Sequence, residues 1–373
     1  NTYTGGTVVN NGILRINADA ALGTAPVTAA TNLTFNYMFN NGVLSGVLQD
    51  GADGIVLNAN RTILVATNAI GTVDVGANTM TINGSIDGAA GTLAKTGAGV
   101  LRLAGTTNNI GVLSIRNGTV SNVTSVGFAS NVVVAAAAGD RARLDLAADF
   151  SEGGRMYVGS GAGAAGAVIQ HGGTVNIGTT LSGADVLSLG NNGGYGYYRL
   201  ESGILNVGQL APGGNSAGGN VGVYEQYGGT ATVVMAGGWI VMGWTSSSNG
   251  ILNLWGGQLN SPANNNVTMG FTANINTYNT ISLLGPDAVF NTMGGGTARA
   301  IQMMAGTGNQ ESALNLNDGL LLANQITQAV SGPTAGITVF NFDGGTLRAN
   351  AGLTQSAFMQ GLSGAYVYDG GAI

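Results

Sequence analysis

Apolar and polar residues alternate along the second half of the chain in short runs, the period of half-buried strands. Val168-Ile169-Gln170, Tyr197-Tyr198-Arg199-Leu200, Val223-Tyr224-Glu225-Gln226-Tyr227 and Ile251-Leu252-Asn253-Leu254-Trp255 are such runs. Each is followed by a glycine pair or a polar-glycine pair and a second short strand. The second element reads Gly172-Gly173-Thr174-Val175-Asn176-Ile177, Ser202-Gly203-Ile204-Leu205-Asn206-Val207 and Gly228-Gly229-Thr230-Ala231-Thr232-Val233. It continues at Gly256-Gly257, Gly295-Gly296-Thr297, Asp318-Gly319 and Gly344-Gly345-Thr346. From Gly173 to Gly345 the steps are uneven but average about 29 positions, the repeat length of a stacked solenoid. No window of ten or more residues has a 3.6 period, and one helical turn is expected around Ala351 to Leu362.

The stretch 1–135 repeats differently. Arg61–Val65, Gly71–Val75 and Thr79–Ile82 are separated by Gly or Asn every seven to ten positions, as in a coil with three short sides. Laying residue 1 over residue 107 aligns Gly5 with Gly111, Val9 with Ile115 and Asn11-Gly12 with Asn117-Gly118. The fold expected is all-β: a parallel β-helix with short strands and Gly/Asn-rich corners, roughly 13–16 coils and 60–80 Å long at the β spacing. Residues 1–135 form one repeat type and 156–373 the other, continuous with it. Residues 136–155 are a charged junction, where Asp140, Arg141, Arg143, Asp145, Asp149, Glu152 and Arg155 suggest an exposed loop or a register shift.

Composition narrows the function classes. Of 373 residues 66 are Gly, while only 11 are basic and 17 acidic. Stacked like charges repel at the spacing between coils, so a tall stack favours few of them. The scattered basic residues form no stripe to neutralise a phosphate backbone, so nucleic acid is not an expected partner. No apolar run approaches the roughly 20 residues of a membrane span. With no Cys, thiolate chemistry and disulfides are excluded. Residue 1 is Asn, and neither end reads as a cap. Two readings stay open: a segment of a longer repetitive polypeptide, or a subunit whose ends are completed by neighbouring copies. In the second, Asn1, Thr2, Tyr3 and Thr4 would meet Tyr366, Val367, Tyr368 and Ile373 of another copy.

Gly91-Thr92-Leu93-Ala94-Lys95-Thr96-Gly97-Ala98-Gly99-Val100-Leu101-Arg102-Leu103-Ala104-Gly105 resembles the autotransporter-associated β-strand repeat, with its other half at residues 1–14 and its spacer at Asn17–Gly23. The resemblance covers the first third of the chain. It implies a right-handed β-helix on the outside of a bacterial cell, serving in adhesion, surface coating or as a stalk. It brings no catalytic residues and no cofactor. The sequence lacks the C-terminal membrane barrel of the autotransporter pattern.

Candidate chemistry is sparse. His171, the only His, flanks a turn and is expected to face solvent; a Ser-His-Asp relay would have to pair it with Asp185. Asp50 and Asp53 are close in sequence, yet their Gly spacing marks a turn, and glycoside chemistry needs carboxylates converging on one cleft. No catalytic, cofactor or metal residue is therefore assigned. The aromatic run is more suggestive. Trp239, Trp244 and Trp255 fall within seventeen residues, just after Tyr195, Tyr197, Tyr198, Tyr224 and Tyr227. They could fill a wide section of core or form a contact surface for glycans or a neighbouring filament, with Trp239, Trp244, Trp255, Tyr224 and Tyr227 as its candidates. The function expected is structural and non-enzymatic, a rigid extracellular rod that is a subunit or a segment of a bacterial surface fibre, stalk or coat and could stack end to end. A carbohydrate-binding adhesin is the alternative, and a polysaccharide-acting enzyme the third.

Overall fold

A computed structural model of the chain describes residues 1–36, 45–105, 108–178, 186–216, 218–234, 238–261, 266–271, 276–293, 300–303, 309–328, 336–349 and 357–370. They wind into a parallel β-solenoid. Arg141–Leu146, Phe150–Glu152 and Met156–Val158 make one coil of three short strands. The chain then returns, and Ala165–Gln170 pairs with Arg141–Leu146 residue for residue. The three positions define faces I, II and III. Face I is a 13-stranded parallel sheet. Its rungs span about 58 Å at ~4.8 Å each.

Faces II and III join into one 26-stranded sheet. Two long strands, Ile86–Thr96 and Asn108–Ile115, cause this by running from face II onto face III without a break. A register shift between Ile110 and Val112 accommodates the bend. Beyond residue 116 each side of a coil is a separate strand. In the first turn a 3-10 helix, Asp19–Leu22, follows the face III strand Gly12–Ile16 before the chain enters face II at Ala30–Phe35. Arg61, 1% exposed, fastens that helix by binding the Asp19 carboxylate, the Leu22 and Gly23 carbonyls and Asn32.

Alternation sends every second side chain inward. On face I the inward residues stack in columns, Leu101, Val120, Leu144 and Val168 and then Tyr198, Tyr224, Leu252 and Ile281. All of these are buried. The neighbouring column is leucine broken by Asn122, Gln170 and Gln226, also buried. Their amides supply the hydrogen bonds that corner carbonyls would otherwise lose in a dry interior. Asn122 Nδ2 donates to the Ala148 and Asp149 carbonyls at 3.0 and 3.2 Å, and its Oδ1 accepts from Ala147 N at 2.8 Å. Gln170 and Gln226 donate to Ile204 and Gln258 carbonyls of the next coil, and each accepts a core tyrosine hydroxyl, Tyr198 at 2.7 Å and Tyr224 at 3.0 Å.

Several expectations shift in detail. The charged junction is neither a loop nor a register shift: Arg141–Leu146 and Phe150–Glu152 continue the ladder, with Arg141 and Arg143 projecting outward and Glu152 buried. The overlay of residue 1 on residue 107 does not describe structural equivalents. Val9 stands on face II beside Phe35, whereas Ile115 stands on face III beside Lys95 and Val134. Nor does a glycine pair mark the face II step after Gly257. The strand after Gly257–Asn260 on face II is Ala288–Asn291. The true face II steps, from Thr174 through Ile204, Thr230, Gln258, Val289 and Leu320 to Thr346, are therefore more even than those between glycine pairs. Residues 294–299 lie outside the described residues. So does 351–356, the first part of the expected helical turn, and Met359–Gln360 in its second part is a strand.

Candidate functional site

The structure divides the aromatic candidates among three places. Tyr224 is not on a surface. It occupies an inward position between outward Val223 and Glu225, is 0% exposed, and stacks on Tyr198 with ring centroids 5.9 Å apart. Burial raises the hydroxyl pKa of both rings well above the usual value. Tyr227 and Trp255 are outward, 44% and 43% exposed, at the corner that closes face I. Their rings are offset-stacked, 5.9 Å apart and 9° from parallel. Trp239 and Trp244 lie at the two ends of the face III strand Ile240–Met242, half-buried and stacked at 6.1 Å, with Phe271 edge-on to both.

Tyr227 and Trp255 end a polar column that sequence spacing did not reveal. Parallel pairing brings residues about one coil apart side by side, so Asp145, Ile169, Arg199, Glu225 and Asn253 form one outward row of face I. Arg143 Nε binds Asp145 at 2.6 Å. His171 stands between Asp145 at 3.6 Å and Glu201 at 2.7 Å. Glu201 also binds Arg199 at 3.0 Å, and the Arg199 guanidinium lies 4.6 Å from the centre of the Tyr227 ring, a cation–π contact. Glu225 accepts from Tyr197 at 2.8 Å, Tyr227 at 3.3 Å and Asn253 at 3.4 Å. Desolvation first, and then Glu225, raises the pKa of Tyr197 and Tyr227. His171 is thus partly exposed, as expected, but paired. Asp185 lies outside the described residues.

Asp50 and Asp53 each hold a backbone amide. Asp50 accepts from Gly76 N at 2.9 Å and Asp53 from Thr79 N at 2.8 Å, each fastening the backbone of the coil above. Asn131, Asp149 and Asn249 do the same for Arg155, Thr174 and Tyr278. This use explains the abundance of Asn and Asp at corners.

The end candidates fall into two groups. Asn1 donates to the Ala21 carbonyl at 3.2 Å, and the Tyr3 carbonyl accepts from Thr24 N at 2.9 Å, so the first residues lie along the 3-10 turn. Thr2 and Thr4 are exposed. Tyr366, Val367 and Tyr368 are 51%, 65% and 52% exposed, at or beside Gly364–Val367, the last strand of face I. Ile373 lies outside the described residues.

Face II carries an open depression of about 540 Å³ lined by Ser125, Gly127, Asp149, Ser151, Thr174 and Asn176 among others. Its parts, Asn108 included, come from four successive coils, so local sequence does not reveal it. Among the described residues no helix is long and apolar enough to cross a membrane. No family model, no curated protein and no solved structure matches the chain.

Proposed function

We propose that the chain serves as a rigid, non-enzymatic structural rod of a bacterial surface fibre, stalk or coat outside the cell. The observation that carries this reading is the unbroken parallel ladder. Each described strand of face I pairs with the next, through a 13-stranded sheet laid over one continuous apolar core. Among the described residues such a stack shows no hinge, and its paired strands are poor substrates for proteases. The resemblance of Gly91–Gly105 to a repeat of bacterial surface proteins supports the same reading.

End-to-end stacking follows from strand chemistry. Val367 continues the inward column of Leu283, Leu316 and Phe342, yet it is 65% exposed, and among the described residues its strand has one unpaired edge. A further coil, from a second copy or from adjoining repeats, would pair with that edge by β-augmentation. A repeated heterologous contact that does not close gives a filament. Electron microscopy of the purified chain tests this: fibres with an axial repeat near one chain are expected. Rods that stay single at micromolar concentration would overturn the stacking.

A second reading, a carbohydrate-binding adhesin, is favoured by the exposed Tyr227–Trp255 pair beside Arg199 and Glu225. Tryptophan fluorescence quenched by a glycan, and unresponsive in Trp255→Ala, is its expected signature.

A further inference from the structure

The outward row of face II runs Asn109, Gly127, Ser151, Asn176, Asn206, Thr232, Asn260 and Asn291, eight coils without a charge. Asn206 donates to Asn176 at 2.9 Å, and Asn291 to Asn260 at 3.4 Å, so parts of the row are amide ladders. At Gly127 and Ser151 the side chains shrink, and the row dips into the depression of about 540 Å³. That volume lies in the range of small-ligand sites.

Gly127 is not required there by the backbone. Unlike the corner glycines it has no left-handed φ. A Cβ on it would meet only Ser151 Oγ at 3.2 Å and the Asn108 and Ser151 carbonyls at 3.9 and 4.0 Å, the first of which can rotate away. Its effect is open space. Beneath it the Phe128 and Phe150 rings pack 5.5 Å apart in the core and form the floor.

The lining has polar capacity to spare. Asp149 Oδ1 accepts from Thr174 N at 2.7 Å, and among the described residues Oδ2 has no hydrogen-bond donor. Asn176 Oδ1 is taken by Asn206, which leaves its two N–H donors. The hydroxyls of Ser125, Ser151 and Thr174 stand in the same depression. The second amide of the lining, Asn108, is bonded to Ile86 N and the Gly105 carbonyl, so one carboxylate, the Asn176 amide and three hydroxyls face a ligand that both donates and accepts many hydrogen bonds. Asp149 is the single charged group of the lining, so phosphates and acidic sugars are disfavoured; the two apolar lining side chains, Val126 and Phe150, are buried in the core and offer no surface to an apolar peptide.

We propose that this depression binds a short stretch of neutral saccharide, its hydroxyls donating to Asp149 Oδ2 and accepting from Asn176 Nδ2. The site is on a different face from the Tyr227–Trp255 pair and does not depend on stacking of the rods.

The test is calorimetric titration of the full chain with trisaccharides of β-1,4-linked glucose, β-1,4-linked N-acetylglucosamine and α-1,4-linked glucose. Saturable binding of at least one is expected. Gly127→Thr, which fills the dip, should weaken it at least tenfold without changing the melting profile, while Arg102→Ala, exposed on face I, leaves it intact. No binding of any of the three at millimolar concentration overturns the proposal. So does binding that survives Gly127→Thr, or that is lost in Arg102→Ala instead. Should Gly127→Thr fail to fold, Asp149→Asn serves, since an amide oxygen still accepts from Thr174 N; unchanged affinity in that variant overturns the proposal equally.

Discussion

Lys95, the only lysine, shows how a single residue is used against its type. It lies in an inward column between Val73 and Ile115 and is 0% exposed. Its ammonium donates to the carbonyls of Thr96 and Gly97 at 2.7 Å and of Asn117, one coil on, at 3.1 Å. Three donors meet three corner acceptors, so the group works as a clamp. Burial nevertheless pushes its pKa from 10.5 to about 8, against the pull of Asp74 and Asp50. With the folded value below the unfolded one, the unfolded chain holds the extra proton between about pH 8 and 10.5. Stability contributed by this group therefore rises with pH across that window. Tyr198 and Tyr224 act in the opposite sense: their raised values mean stability is lost as pH climbs past the ordinary 10.0. Denaturant midpoints measured from pH 7 to 11 should rise and then fall, and Lys95→Met should remove the rise while keeping the fall. A monotonic decline in the unsubstituted chain would contradict this account. Lys95 sits inside a recognisable repeat, yet nothing in its local sequence signals that it points inward, since alternation is obscured where one strand of 11 residues turns a corner.

At the scale of the element, the corner between faces I and II is a column of glycines. Gly173, Gly203, Gly229, Gly257, Gly319 and Gly345 have φ between +69° and +91°. A Cβ at Gly229 would also press on the Gly203 carbonyl at 2.5 Å. Gly229→Ala is expected to cost about 1–3 kcal/mol, read as a lower urea midpoint with unchanged circular dichroism. One coil dispenses with glycine: Ala288 pairs with Gly257, without a left-handed φ. Ala288→Gly should therefore give no gain, only the modest entropic loss of a glycine. This gap explains what is and is not legible in the sequence. The alternation of Val223 to Gln226 shows the strands and their inward sides, and the mean spacing matches the true coil. A reading keyed to glycine passes over Ala288 to the next pair, because a corner made without glycine leaves no mark. The same limit hides the polar column and the depression. Residues such as Arg143, His171 and Glu201 become neighbours only through strand register, which local sequence does not encode.

For the whole molecule, each coil touches chiefly the coils above and below it, so stability is shared out along one axis. The coils are not equal in contour. On face I the shortest turn carries Val100 to its partner Thr119, and the longest carries Thr277 to Gln310. Pulled apart by its two ends, such a rod should come undone turn by turn. Each rupture would release one turn of chain, about 65 Å for the shortest and about 115 Å for the longest at full extension. A force–extension trace of the single chain is therefore expected to show an uneven sawtooth whose tooth lengths spell the order of coils, and a single all-or-none drop would count against it. In mechanical terms the rod is a graduated shock absorber, because each lost turn relaxes the load before the next must bear it.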